Sequence, residues 1–162
     1  MRQQQLTKTS LERIPPKATP VLKWAGGKTQ LLPTLEKHLP QKLLNNEIDT
    51  YIEPFVGGGA VFFYLAHKYD FKKAYLFDIN PELIILYNSL KKDVDAVIRE
   101  LSILSKNFQA RTPEEQKAFF YSVRASYNSE VAVAHKAVSH SPFNAARAAK
   151  TIFLNRTCFN GL

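Results

Sequence analysis

The chain has 162 residues, of which 45% are hydrophobic and 22% charged, with a formal net charge of +8 and an isoelectric point near 9.6. This length allows one domain with a sizeable core, and the hydrophobic fraction excludes a disordered chain. The positive charge favours a polyanionic partner through counterion release. The single cysteine, Cys158, excludes an internal disulfide. No apolar run could span a bilayer and no signal peptide is visible, so we expect a cytoplasmic protein without membrane attachment.

The first patterned segment follows a polar, basic, proline-containing leader over residues 1–19, which we expect to be mobile. It has the sequence Leu22-Lys23-Trp24-Ala25-Gly26-Gly27-Lys28-Thr29. Its last three residues look like the end of a phosphate-binding loop, but that motif requires glycine where Leu22 stands, and is therefore excluded. Taken singly, Trp24 is better explained by core packing and Lys28 by a solvated helix end.

The second patterned segment joins a glycine turn to an acidic residue further along the chain. The turn has the sequence Glu53-Pro54-Phe55-Val56-Gly57-Gly58-Gly59. Ile52 and Phe55 predict a short buried strand before the glycines, and a helix is predicted over residues 60–67. A second strand over residues 74–77 then places Asp78 at its carboxyl end. This is the front half of a nucleoside-binding α/β unit, in which the glycine turn admits the ligand and the acid binds ribose hydroxyls.

The glycine pattern and Glu53 indicate which nucleoside is bound. A dinucleotide fingerprint needs a third glycine, and Phe62 stands there instead. Glu53, at the first strand end, would repel a pyrophosphate. S-adenosylmethionine has a ribose, no phosphate, and positive ammonium and sulfonium groups, so it suits two acidic strand ends. On this motif alone, a surface glutamate beside a structural glycine turn is about as good an explanation.

The remainder of the chain predicts helices. One follows Pro81, an amphipathic one covers residues 93–106, and Thr112 begins another with Glu115 placed for a capping box. Ser141 is predicted to cap a third, over residues 142–153. We therefore expect an S-adenosylmethionine-binding α/β part over residues 20–90 and a helical part over residues 91–162. His135 and His140 lack the spacing of a metal site, so no metal is expected.

Four blocks together carry a family resemblance that covers residues 20–162. They are Leu22 to Lys28, Tyr51 to Gly59, Asp78-Ile79-Asn80, and Leu154-Asn155-Arg156-Thr157-Cys158-Phe159-Asn160-Gly161-Leu162. In this order they closely resemble the Dam-type DNA adenine methyltransferases. The resemblance implies the α/β, Rossmann-like fold of S-adenosylmethionine-dependent methyltransferases, with a helical insertion. It also implies methyl transfer to the exocyclic N6 amine of adenine in double-stranded DNA, as in restriction-modification systems.

The resemblance assigns roles to individual residues. Trp24, Lys28 and Asp78 would contact S-adenosylmethionine, and Phe55 and Gly57 would line the same pocket. Glu53 is also predicted to bind the cofactor, because its negative charge suits the positive ammonium and sulfonium groups. Lys23, Arg156 and Asn160 would contact DNA, with Asn160 reaching a base edge or filling the space of a flipped base. Arg147 and Lys150 are further candidates for phosphate contacts, and a solvated helix face is their alternative.

The chain departs from the family pattern at the catalytic tetrad. Family members have an Asp-Pro-Pro-Tyr type tetrad, but the only Pro-Pro pair here is Pro15-Pro16, in the leader, and Ser141-Pro142-Phe143 is no substitute. We therefore expect an amino-terminal portion with an incomplete sheet and no catalytic residue of its own, inactive alone and prone to self-association. A second chain could supply the missing strands.

Two alternatives from other classes remain at this point. One is a non-catalytic cofactor- or DNA-binding remnant, or one part of a split methyltransferase. The other is a nicotinamide-dependent oxidoreductase, which Glu53 and the missing third glycine disfavour.

Overall fold

The computed structural model describes residues 18–24, 26, 28–131 and 144–158. The elements, in chain order, are a 3₁₀ turn (Lys28–Leu31), α1 (Leu32–Glu36), α2 (Gln41–Leu44), β1 (Thr50–Glu53), α3 (Ala60–Ala66), β2 (Lys73–Leu76), α4 (Pro81–Gln109), α5 (Pro113–Ser129) and α6 (Ala145–Thr157). No helix in these ranges is both long and apolar enough to cross a membrane. Most of the predicted leader, His135, His140 and Ser141 lie outside the described residues.

The sheet of the described part consists of β1 and β2, which pair in parallel and are connected through α3. Backbone hydrogen bonds from Phe77 N to Glu53 O (2.8 Å) and from Val56 N to Phe77 O (2.9 Å) continue the pairing up to the glycine turn. The predicted strands and intervening helix are therefore present. The structure is mixed and largely helical, compatible with a methyltransferase-like fold.

The predicted burial of Ile52 and Phe55 is wrong. Ile52 is 62% and Phe55 67% exposed, because no element of the described ranges covers this side of the sheet. Tyr75, which pairs with Ile52 in register, is 49% exposed, and Phe77 is 53% exposed. The exposed apolar face, defined by Ile52, Tyr75 and Phe77, is a surface of the kind that mediates association.

We expect this exposed apolar face to drive self-association at high protein concentration. Replacing Ile52 and Tyr75 together with threonine keeps a strand-compatible residue at each position and should shift the protein towards monomer in sedimentation velocity. Ile103→Thr, which removes an exposed apolar side chain of α4, is the control and should leave the distribution unchanged. A wild-type chain that is monomeric throughout the concentration range would contradict this prediction.

Helix α4 contains both of the helices predicted after Pro81. Asp93 breaks it with non-helical backbone angles (φ −157°, ψ 81°), and its carboxylate accepts a hydrogen bond from the backbone N–H of Ala96 at 2.9 Å. The first half carries the buried Leu83 and Leu86, and the second half carries Val97. The kink lies where the second predicted helix was expected to begin, because an aspartate that caps the following turn competes with continuous helix.

The predicted capping box of α5 is also confirmed. The Thr112 hydroxyl accepts from the backbone N–H of Glu115, and the Glu115 carboxylate accepts from the backbone N–H of Thr112. The described third helix, α6, instead begins at Ala145. Asn144 caps it by accepting from the backbone N–H of Arg147 at 2.9 Å.

The core is built around α6, which packs on α4 and α5. One buried cluster contains Leu22, Leu83, Leu86, Val97, Ala148 and Ile152. A second contains Val123, Tyr127, Phe153 and Leu154, and the Phe108 ring meets the Phe153 ring edge-on at 5.5 Å. The first cluster thus combines residues from the segment before the sheet, from α4 and from α6, so the helical part packs directly against the part that carries the glycine turn.

Arg147 is buried rather than available to DNA. It is 1% exposed, and its Nε and Nη2 donate to the Glu82 carboxylate at 2.7–3.1 Å. Its Nη1 donates to the Tyr127 carbonyl at 3.0 Å, and the guanidinium lies 4.1 Å from the Tyr127 ring centroid. Both the phosphate contact and the solvated helix face considered for Arg147 are therefore wrong.

Lys150 donates to Glu130 at 2.6 Å, and this bond is the main cause of the lowered pKa of Glu130.

Candidate functional site

A cleft of about 280 Å³ opens at the carboxyl ends of β1 and β2. This is where ligands bind in α/β sheets. Five of the six residues predicted for the cofactor line it, namely Trp24, Lys28, Phe55, Gly57 and Asp78. Backbone and apolar groups of Leu22, Gly26 and Val56 complete much of the wall. Three segments that are separated in sequence therefore meet in one cavity.

The glycine turn lines the cavity with Gly57 and Gly58, and it leaves no room for side chains at Gly57 and Gly59. Gly57 has φ +53°, and a Cβ there would lie 3.3 Å from the Trp24 indole nitrogen. Gly59 has φ +80°, and a Cβ there would lie 2.7 Å from the Tyr87 hydroxyl. Because both positions combine left-handed backbone with close neighbours, the turn requires glycine. Helix α3 begins directly after it.

Asp78 joins the ends of the two strands. Its Oδ2 accepts from the backbone N–H of Gly57 and its Oδ1 from the backbone N–H of Asn80, both at 2.9 Å. Asn80 in turn caps α4 by accepting from the backbone N–H of Glu82 at 3.0 Å. Each carboxylate oxygen has a further lone pair, so Asp78 can also accept hydroxyl hydrogens of a ligand.

Glu53, the sixth predicted residue, does not line the cavity. It is 5% exposed, its Oε1 accepts from Lys28 Nζ at 2.9 Å, and its Oε2 accepts from the Tyr51 hydroxyl at 2.8 Å. Lys28 also donates to the Phe55 carbonyl at 2.5 Å. Glu53 therefore holds Lys28 at the cavity wall. The ion pair with Lys28 also offsets the negative charge of Glu53, which was expected to repel a pyrophosphate.

Two tyrosines that the sequence analysis did not assign to the site donate hydrogen bonds to its residues, Tyr87 to Gly57 and Tyr51 to Glu53. Tyr87, on α4, donates its hydroxyl hydrogen to the Gly57 carbonyl at 3.1 Å. Burial, followed by the negative charges of Glu53 and Asp78, raises the pKa of Tyr87 to about 12. Burial and the bond to Glu53 also raise the pKa of Tyr51. Both therefore remain neutral donors at physiological pH, and nothing in their sequence context distinguishes them from core aromatics.

The last turn of α6 holds the segment that precedes Trp24. The Asn155 side chain accepts from Lys23 N and donates to Lys23 O, both at 2.8 Å. Arg156 donates from Nε and Nη2 to the Val21 carbonyl, at 3.0 and 2.6 Å. The structure thus brings Lys23 and Arg156, both exposed, to one surface. Asn160 lies outside the described residues.

Asn155 is the main residue that the sequence analysis missed. It belongs to the terminal block quoted above, but no role was assigned to it. The available signal was an amide directly after the apolar run from Ile152 to Leu154, because a polar group on a buried helix face needs specific partners. The identity of those partners, at the other end of the chain, could not be read from spacing.

Comparison with known proteins identifies the family. The family model for D12 class N6 adenine-specific DNA methyltransferases matches residues 24–162. The type II methyltransferase M.MjaIII of Methanocaldococcus jannaschii is 48% identical over 143 residues, covering 88% of this chain and 47% of the relative. The DNA adenine methylase of Haemophilus influenzae is 37% identical over 146 residues, covering 90% of this chain and 43% of the relative. That of Escherichia coli K12 is 37% identical over 145 residues, covering 87% and 41%.

The chain spans less than half the length of these relatives. The matched region nevertheless contains the glycine turn, Asp78 and the helix that carries Asn155. The family model covers most of the chain, and the order of the sequence blocks agrees with it. The chain therefore belongs to the D12 class of N6 adenine-specific DNA methyltransferases.

Proposed function

We propose that this chain is the cofactor-binding portion of a DNA adenine methyltransferase, which transfers the methyl group of S-adenosylmethionine to N6 of adenine in double-stranded DNA. The observation that carries the proposal is the convergence of Trp24, Lys28 and Asp78 on one cavity at the strand ends. The proposed fold is the Rossmann-like fold of S-adenosylmethionine-dependent methyltransferases, with residues 20–90 as the α/β part and residues 91–162 as the helical part.

The residues of the cavity fit S-adenosylmethionine. Asp78 has lone pairs for the ribose hydroxyls, and the aromatic rings of Trp24 and Phe55 offer apolar surface for the adenine. Lys28 uses two of its three ammonium hydrogens on Glu53 and Phe55, so the third can donate to the carboxylate of the cofactor. When bound, the cofactor supplies a methyl group on a positively charged sulfonium.

The surface beside the cavity fits a polyanion. Lys23 is exposed directly before Trp24, and Arg156 is exposed beside it and held on the same segment. The whole chain carries a net charge of +8. These features support double-stranded DNA as the partner. The name of the M. jannaschii relative, a type II methyltransferase, supports restriction-modification as the biological context.

Calorimetric titration tests the cofactor assignment. S-adenosylmethionine and its demethylated product, S-adenosylhomocysteine, should both bind. Asp78→Ala should weaken binding by about 10- to 100-fold, because hydrogen bonds to charged groups contribute about 1.5–3 kcal/mol. Asp95→Ala, which removes an exposed carboxylate of α4, is the matched control and should bind like wild type.

Thermal unfolding must show that each variant is folded. A folded wild-type chain without affinity for either ligand, or an Asp78→Ala variant with unchanged affinity, would refute the assignment. The same titration with NADH tests the oxidoreductase alternative. This test is useful because Lys28 pairs with Glu53 and so offsets the negative charge that disfavours a pyrophosphate at the end of the first strand. We expect no binding of NADH.

A further inference from the structure

The Asn155 carboxamide is fully buried and uses both of its hydrogen-bonding groups on a single residue. Its Oδ1 accepts from Lys23 N and its Nδ2 donates to Lys23 O, as the backbone of a neighbouring β-strand would. Arg156 adds two donors to the carbonyl of Val21. The end of α6 therefore fixes the backbone at three consecutive peptide groups, those of Val21–Leu22, Leu22–Lys23 and Lys23–Trp24.

The segment 21–23 determines the position of Trp24, which lines the cavity. Trp24 follows it directly and lies against the glycine turn, where a Cβ at Gly58 would come within 3.1 Å of the Trp24 Cβ. Leu22 is 5% exposed and packs in the same cluster as Ile152 of α6. Trp24 is thus located by the glycine turn on one side and by the hydrogen-bonded Lys23 peptide on the other.

We propose that Asn155 is a positioning residue for the cofactor cavity, which acts through the backbone of Lys23 to hold the Trp24 indole in the wall and the Lys23 side chain on the outer surface. The nature of the ligand rests on the proposed function. The placement of Trp24 does not, because it follows from contacts within the chain. The Asn155 carboxamide fixes the backbone of Lys23, whose side chain is a proposed DNA contact and whose neighbour Trp24 lines the cavity. Helix α6 thereby links cofactor affinity to the position of Lys23.

Trp24 is the only tryptophan of the chain, so its fluorescence reports on this position alone. Asn155→Leu removes both hydrogen bonds and keeps the branching of the side chain, and Asn155→Asp keeps the acceptor for Lys23 N but loses the donor. Without ligand, acrylamide should quench Trp24 more strongly in both variants than in wild type. Titration with S-adenosylhomocysteine should show affinity about tenfold weaker for Asn155→Leu, the effect of losing one to two net hydrogen bonds from the wall.

Thr151→Val is the matched control for a merely structural role. Thr151 lies one turn earlier on α6, is 3% exposed, and bonds to the Tyr127 hydroxyl rather than to the segment 21–23. This variant should lower the melting temperature without changing quenching or affinity. If Asn155→Leu does not fold, Arg156→Gln acts on the same segment from an exposed position and should shift both readouts in the same direction by a smaller amount.

Wild-type quenching and wild-type affinity in folded Asn155 variants would overturn the proposal. If the Asn155 variants do not fold, the same result in a folded Arg156→Gln variant would overturn it. So would equal changes in Thr151→Val. If no form of the protein binds S-adenosylhomocysteine but quenching still rises in the Asn155 variants, the positioning of Trp24 is upheld and the cofactor assignment fails.

Discussion

Replacing Arg147 with methionine should lower the free energy of unfolding by about 3–5 kcal/mol, the usual effect of breaking a buried ion pair from one side. The change removes three hydrogen bonds to Glu82, one to the Tyr127 carbonyl, the contact of the guanidinium with the Tyr127 ring, and an ion pair with Glu130 at 3.6 Å. Methionine has a comparable length and leaves little empty space, so the loss would come mainly from polar groups. Urea unfolding followed by circular dichroism measures it.

Lys150→Met provides the matched control on the same helix. The side chains of Lys150 and its partner Glu130 are 20% and 44% exposed, and a pair that water reaches contributes about 0–1 kcal/mol. Glu130 also lies 3.6 Å from Arg147 Nη1, so both variants remove one of its cationic partners and they differ in the loss of the buried bonds to Glu82 and Tyr127. A double variant, Arg147→Met with Glu82→Gln, should recover part of the loss because the carboxylate is neutralised as well. An Arg147→Met variant as stable as Lys150→Met would show that the buried network is not a main source of stability.

The second large effect concerns turnover. A polypeptide of residues 1–162 should bind the cofactor yet methylate no DNA, because none of these residues forms an Asp-Pro-Pro-Tyr tetrad. The adenine amine has its lone pair delocalised into the ring, so acceptors must draw its hydrogens as the nitrogen becomes tetrahedral. The base must also be held outside the stack. Loss of a well-placed transition-state hydrogen-bonding group costs about 10²–10³ in rate, and the tetrad that would supply the acceptors and the stacking surface is not found in this sequence.

Incorporation of labelled methyl groups into DNA measures this directly. A DNA adenine methylase such as the E. coli relative serves as positive control for the assay. Adenine methylation by purified residues 1–162 that disappears in Asp78→Ala and in Lys28→Ala would contradict the prediction. It would mean that another residue of this chain provides the acceptors.

The parts of the site that the sequence predicted depend on local rules. Gly57 and Gly59 have left-handed backbone and Asp78 closely follows the end of a strand, and each of these is encoded within a few residues. Spacing between short motifs was therefore sufficient to place the cavity at the carboxyl ends of the strands.

The parts that the sequence did not predict depend on tertiary packing. Arg147 resembles any cation on a helix until α4 and α5 enclose it, and Asn155 is recognisable only once its partner, Lys23, is known. Glu53 was expected in the cavity, but Lys28 and Tyr51 bind both of its oxygens, and this arrangement depends on side-chain directions that a strand pattern does not specify. The exposure of Ile52 likewise depends on what packs against the sheet, not on the strand itself.

The most direct test of the cofactor site is a crystal structure of the protein grown with S-adenosylhomocysteine. We predict ligand density in the cavity at the carboxyl ends of β1 and β2, with the ribose hydroxyls against Asp78 and contacts to Trp24 and Lys28. Ligand bound elsewhere on the protein, or a ligand in this cavity whose ribose does not contact Asp78, would contradict the assignment.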